Sequence, residues 1–190
     1  KHASDRYKAL TSDSKGEMYL VQSAFAVHQY KEGEWKSLSG DKGYSPAWPK
    51  QAASHYPTMA MTDDDKPLVL WSDGDYEGDD NNNGGFALSC AKFDNGKWSF
   101  VGKRGFYCGT SKAPLIVDGS NYYTCFRDYD PKVYERDHGI LSCMKWDGKK
   151  WDDYYKTISS ETDIFTKSPD SGESYTDIRR RVGEFLYELE

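Results

Sequence analysis

Three stretches of this chain carry the same succession of apolar runs, turns and a closing tryptophan. A tandem repeat of that kind restricts the possible folds more than any single residue does. Each stretch opens with a pair of strand-like runs: residues 5–11 with 18–21, 56–61 with 67–71, and 113–117 with 122–126. Each continues with a further run that reaches a tryptophan: Phe25 to Tyr30 then Trp35, Phe86 to Phe93 then Trp98, and Ile140 to Trp146 then Trp151. The tryptophans stand 63 and then 53 residues apart.

Tight turns separate these runs. Asp94-Asn95-Gly96-Lys97 is a strong hairpin signal, because Asn-Gly accepts the left-handed backbone that a two-residue turn needs. Lys31-Glu32-Gly33-Glu34 and Asp147-Gly148-Lys149 hold the matching places in the other repeats. Aromatic residues make up 15% of the chain, and such side chains suit pleated, half-buried surfaces. The expectation is an all-β fold: about three β-propeller-type blades, each of four antiparallel strands, over residues 3–158 (3–50, 53–110 and 111–158). Trp35, Trp98 and Trp151, being periodic, are expected to pack between blades. Closed propellers have roughly four to eight blades, so a partner chain or further blades are expected to complete the ring.

Residues 159–172 read as a linker and 173–190 as a C-terminal amphipathic helix. Ser174 is its N-cap, and Ile178, Val182, Phe185, Leu186 and Leu189 form its apolar stripe.

Two resemblances accompany these patterns. The Lys-(Phe/Trp)-Asp-Gly-Lys-Trp type of hairpin, followed by a glycine-containing stretch and a strand pair, resembles blades of sialidase-like and lectin-like β-propellers. Asp94-Asn95-Gly96-Lys97-Trp98 is one residue short of the sialidase Asp-box and lacks its serine. In the tail, Gly172-Glu173-Ser174-Tyr175-Thr176-Asp177 followed by Arg181-Val182 is similar to a helix start of histidine phosphatases. That family's Arg-His-Gly is interrupted here as Arg136-Asp137-His138-Gly139, so no function carries over.

Composition closes off several function classes. A net charge of −6 argues against a nucleic-acid partner, which requires a basic face. No apolar run approaches the roughly 18 residues of a membrane span. Lys1 opens no apolar signal segment, so the chain reads as cytosolic or already processed. His2, His28, His55 and His138 share no metal-ligand spacing, and no nucleophile elbow or phosphate loop occurs. The four cysteines permit two disulfides, for example Cys90 with Cys108 and Cys125 with Cys143. The alternative is four buried thiols. The expectation leans towards a secreted chain, with a cytoplasmic one as the alternative.

Candidate site residues come from strand ends and loops. Asp73, Asp75 and Asp79 place carboxylates at spacings able to surround a hard cation such as Ca²⁺, with glycines allowing the turn. Asp128 and Asp130 hold the equivalent place in the third repeat. Trp48, between Pro46 and Pro49, breaks the tryptophan period and is the expected exposed aromatic contact. The ligand-binding set is therefore Trp48, Asp73, Asp75, Tyr76, Asp128 and Asp130. The favoured function is a non-catalytic, lectin-like or adhesive module that presents blade loops to a glycan or a protein surface. Two alternatives stand beside it: a glycosidase-like hydrolase with Asp73 and Asp128 as its carboxylates, and a structural assembly subunit.

Overall fold

The structure is a computed structural model that describes residues 7–39, 54–74, 87–108, 112–128 and 140–155. These form three antiparallel sheets, each ordered as a simple meander. Blade 1 holds β1 (Lys8–Ser12), β2 (Met18–Gln22), β3 (Ala26–Lys31) and β4 (Glu34–Ser37). Blade 2 holds β5 (Ser54–Met61), β6 (Pro67–Asp73), β7 (Ala87–Asp94) and β8 (Lys97–Phe100). A short β9 (Tyr107–Cys108) pairs with the start of β7. Blade 3 holds β10 (Leu115–Asp118), β11 (Asn121–Asp128), β12 (Ile140–Trp146) and β13 (Trp151–Tyr155). The expected linker and C-terminal helix at 159–190 lie outside the described residues, as do Trp48, Asp75, Tyr76, Asp79 and Asp130.

Turn chemistry sets the hairpins. Asn95 and Gly96 both take positive φ, as do Glu32 and Gly33, so the predicted β7–β8 and β3–β4 turns form as two-residue loops. In blade 3 the Asp147 carboxylate accepts from the amides of Lys149 and Lys150, which tightens the β12–β13 turn.

The blades stack face to face with their first strands adjacent: β1 lies beside β5, and β5 beside β10. The alternation of β2, with Tyr19 and Val21 buried, turns one face of blade 1 onto blade 2. β6 is buried along its whole length because it is the second strand of the middle blade, with a blade on either side. Val21, Phe25 and Val27 meet Val69, Trp71 and Trp98 across the first joint. Leu70, Cys90 and Val101 meet Phe126, Met144 and Trp151 across the second.

A tryptophan locks each joint. The Trp98 indole N–H donates to the Leu38 carbonyl of blade 1 at 2.9 Å. The Trp151 indole N–H donates to the Val101 carbonyl of blade 2, also at 2.9 Å. Leu38 and Val101 are equivalent positions, each bonded through its own amide to the third strand of its blade, at Val27 and Cys90. Gly102, with φ +83°, brings the backbone against Trp146 and Trp151, where an added Cβ would lie 2.9 and 3.1 Å from the two rings. Trp35 departs from the expected packing. It is 47% exposed, because the face of blade 1 that carries it meets no described blade.

The cysteines also divide. Cys125 and Cys143 stand opposite each other on β11 and β12 with their Cα atoms 4.0 Å apart, and they form a disulfide. Cys90 makes no bridge: it is a buried free thiol opposite Leu70, whereas Cys108 stands opposite Ala87 further along β7. Burial pushes the Cys90 thiol pKa up, so it behaves as a small hydrophobe. A disulfide is consistent with an extracellular location. Among the described residues no helix is long and apolar enough to cross a membrane.

Candidate functional site

The first strand of each blade begins at one end of the stack, and those three beginnings converge on a cleft of about 400 Å³. Tyr7 and Lys8 come from blade 1, Tyr56, Pro57 and Thr58 from blade 2, and Lys112, Ala113 and Pro114 from blade 3. Sheet register aligns Leu10, Met59 and Leu115, and Tyr7, Tyr56 and Lys112 each stand three residues before them in sequence. One side chain per blade therefore points to a shared centre.

Backbone strain aims the middle one. β5 is irregular against β6 between His55 and Thr58, and within that bulge Tyr56 takes φ +49°. A left-handed tyrosine costs about 1–2 kcal/mol and persists only where surrounding contacts hold it. Bulges beside functional sites commonly redirect a side chain in this way. Here the Tyr56 ring lies 4.1 Å from the Tyr7 ring, centroid to centroid, tilted by 52°. The Lys112 ammonium sits 5.0 Å from the Tyr56 ring centroid, within cation–π range. A side-chain hydrogen bond with Tyr7, and next burial, raise the Tyr56 pKa. Thr58 fastens the floor by donating its hydroxyl to the Ala113 carbonyl at 3.1 Å.

The cleft thus offers two phenol rings and their hydroxyls, two lysines and two proline faces. That chemistry suits stacking and hydrogen bonding to a ligand with both an apolar face and acceptor groups.

Asp73, at the end of β6, is placed differently from a ligand-facing carboxylate. Its side chain is fully buried. Arg104 donates to both carboxylate oxygens, through Nε at 2.6 Å and a terminal nitrogen at 2.9 Å. The Ser89 hydroxyl donates to it at 3.1 Å and accepts from the Gly105 amide at 2.9 Å. The carboxylate thereby ties the loop between β8 and β9 down onto β6 and β7. Both of its oxygens face the Arg104 guanidinium. Asp128 ends β11 opposite Ile140, with its backbone alone among the described features. Among the described residues no group of three or more His, Cys, Asp or Glu side chains is placed to hold a metal.

Tyr7, Tyr56 and Lys112 are absent from the sequence-derived candidates. The available signal was their shared repeat position, visible once the three repeats are aligned on Leu10, Met59 and Leu115.

No protein-family model matches the chain, and no curated protein matches it by sequence. Solved structures do match in shape. An α-L-arabinanase of Penicillium chrysogenum complexed with arabinobiose aligns over 80% of this chain and 50% of its own, at 11% identity and a TM-score of 0.54. The GH93 α-L-arabinofuranosidase of Fusarium graminearum, also with arabinobiose, aligns over 80% of this chain and 49% of its own, at 14% identity and a TM-score of 0.53. A fucose lectin of Kordia zhangzhouensis aligns over 79% of this chain and 99% of its own, at 14% identity and a TM-score of 0.48. The chain spans about half the length of these two enzymes. At these identities the likeness speaks of fold alone, and the fold is that of β-propeller blades.

Proposed function

We propose that this chain is a non-catalytic glycan-binding module whose ligand enters the cleft where the first strands of the three blades meet. One observation carries the reading: Tyr7, Tyr56 and Lys112, equivalent in the repeat, converge there, and Tyr56 is held in a strained backbone to do so. A pyranose or furanose ring presents a C–H face that stacks on a phenol ring, while the Lys8 and Lys112 ammonium groups donate to its hydroxyl or carboxylate oxygens. The described lining supplies phenol rings and ammonium donors, which supports the binding reading. Trp48, Asp75, Tyr76, Asp128 and Asp130 are proposed as a second, loop-borne set of contacts. The disulfide supports placing the module outside the cell.

The test is a glycan array followed by titration calorimetry on the best ligand. Tyr56→Ala and Lys112→Met are expected to weaken binding at least about tenfold, an effect of about 1.4 kcal/mol. Unchanged affinity in both variants would move the site to the loops. Turnover of an aryl arabinoside or fucoside, abolished by Asp128→Asn, would replace the binding reading with the hydrolytic one.

A further inference from the structure

Blade 1 carries a joint that no described blade fills. Each of the two formed joints has a donor face with an aromatic pair: Phe93 and Trp98, 5.2 Å between centroids, in blade 2, and Trp146 and Trp151, 6.0 Å, in blade 3. Tyr30 and Trp35 form the same pair on blade 1, also at 5.2 Å and in the same register. Leu10, 63% exposed, occupies the place that Met59 and Leu115 take beside the first and second joints. This outward face of blade 1 is thus built like the two faces that lock onto a neighbour, yet no described blade covers it.

At the other end, blade 3 presents a receiving face. Receiving faces share a pattern, apolar at the inner strands and polar at the outer ones. Gln29 and Lys36 provide the polar part in blade 1, Lys92 and Ser99 in blade 2, and Lys145 and Asp152 in blade 3. Ile116, 58% exposed, and the Cys125–Cys143 disulfide supply its inner, less polar part. The backbone at Tyr154–Tyr155 lies opposite Cys143, where Leu38 lies against Val27 and Val101 against Cys90.

We infer that the open face of blade 1 docks onto the open face of blade 3 of a second copy of this chain, with the Trp35 indole donating to the carbonyl at Tyr154–Tyr155. Both halves of the joint lie among the described residues, the Tyr30–Trp35 pair on blade 1 and the Tyr154–Tyr155 backbone on blade 3. Two head-to-tail joints related by a two-fold axis would close a six-bladed ring and leave no open blade face. Closure would also bring Tyr7 of one copy beside Lys112 of the other, surrounding the axial cleft from all sides. The inference rests on the blade joints and not on the glycan reading, so Tyr56→Ala is expected to leave the assembly unchanged.

Sedimentation velocity and native mass spectrometry of the whole chain test it. The wild type is expected at twice the 21.7 kDa chain mass. Trp35→Ala and Ile116→Arg, both at exposed positions, are expected to retain the wild-type far-UV spectrum and to weaken dimerisation at least about thirtyfold. Mixing the two variants is expected to restore dimer, because one of the two joints then has both wild-type faces. A wild type that stays monomeric at about 100 μM overturns the inference and leaves the Trp35 face to a different polypeptide segment. A Trp35→Ala dimer as tight as the wild type overturns it as well.

Discussion

Removing Arg104 tests whether Asp73 is a structural anchor or a ligand group. In Arg104→Ala the Asp73 carboxylate loses two charge-assisted hydrogen bonds while its side chain remains fully buried. Breaking one partner of a buried ion pair costs about 3–5 kcal/mol. Arg104 is 22% exposed, so water reaches the site in part and the lower end, about 3 kcal/mol, is expected. Against a total stability of about 5–15 kcal/mol this is a large loss. With a urea slope of about 2 kcal/mol/M, the midpoint falls by about 1.5 M with the slope unchanged. The double variant Asp73→Leu with Arg104→Met removes both charges together. It leaves the Ser89 hydroxyl proton without its Asp73 acceptor, at about 1 kcal/mol. Urea unfolding of the two single variants and the double one forms a cycle, with the double expected to be more stable than either single. Additive losses would refute the buried pair as the anchor. Unchanged stability with abolished glycan binding in Asp73→Asn would return Asp73 to the ligand-binding role expected from sequence.

Tyr56→Ala keeps the left-handed backbone and loses the ring, whereas Tyr56→Gly relieves the strain, so the Gly variant is expected to be the more stable of the two by about 1 kcal/mol in urea unfolding. Burial, and next the Asp13 carboxylate, raise the Tyr19 pKa from 10.0 to about 12. A raised folded value contributes stability that is fully present below pH 10.0 and is lost as pH rises towards about 12. Urea midpoints measured up that alkaline limb are therefore expected to fall, and Tyr19→Phe to flatten part of the slope. Reduction of the Cys125–Cys143 bridge, which closes 18 residues of sequence, is expected to lower stability by about 3 kcal/mol in chemical denaturation with and without reductant.

Periodicity made the blades legible in the sequence. Trp98 and Trp151 repeat because each must reach the carbonyl of an equivalent residue in the preceding blade, and that demand recurs once per blade. Asn95-Gly96 was legible for a local reason, since the turn requires positive φ at both residues. The cleft was not, because its three principal side chains, two tyrosines and a lysine, come from segments about 50 residues apart. Asp73 looked like a rim carboxylate because strand ends are often exposed. The loop from Val101 to Phe106 folds back over it, and nothing local to residues 73–75 signals that Arg104 will arrive there. Cys90 follows the buried-thiol alternative rather than the bridge to Cys108: Leu70 stands opposite it, and nothing local to Cys90 signals which residue will.

Trp35 shows what a repeat can and cannot settle. Its position in the pattern is that of Trp98 and Trp151, and its ring pairs with Tyr30 as theirs do with Phe93 and Trp146. Intrinsic sequence pattern therefore specifies the shape of the joint, while burial depends on whether a neighbour is present to receive it. The same indole is about half exposed in blade 1 and nearly buried in blades 2 and 3. The proposed docking of a second copy would bury this indole as blades 1 and 2 bury Trp98 and Trp151. The open Ile116 face of blade 3 supplies the matching surface.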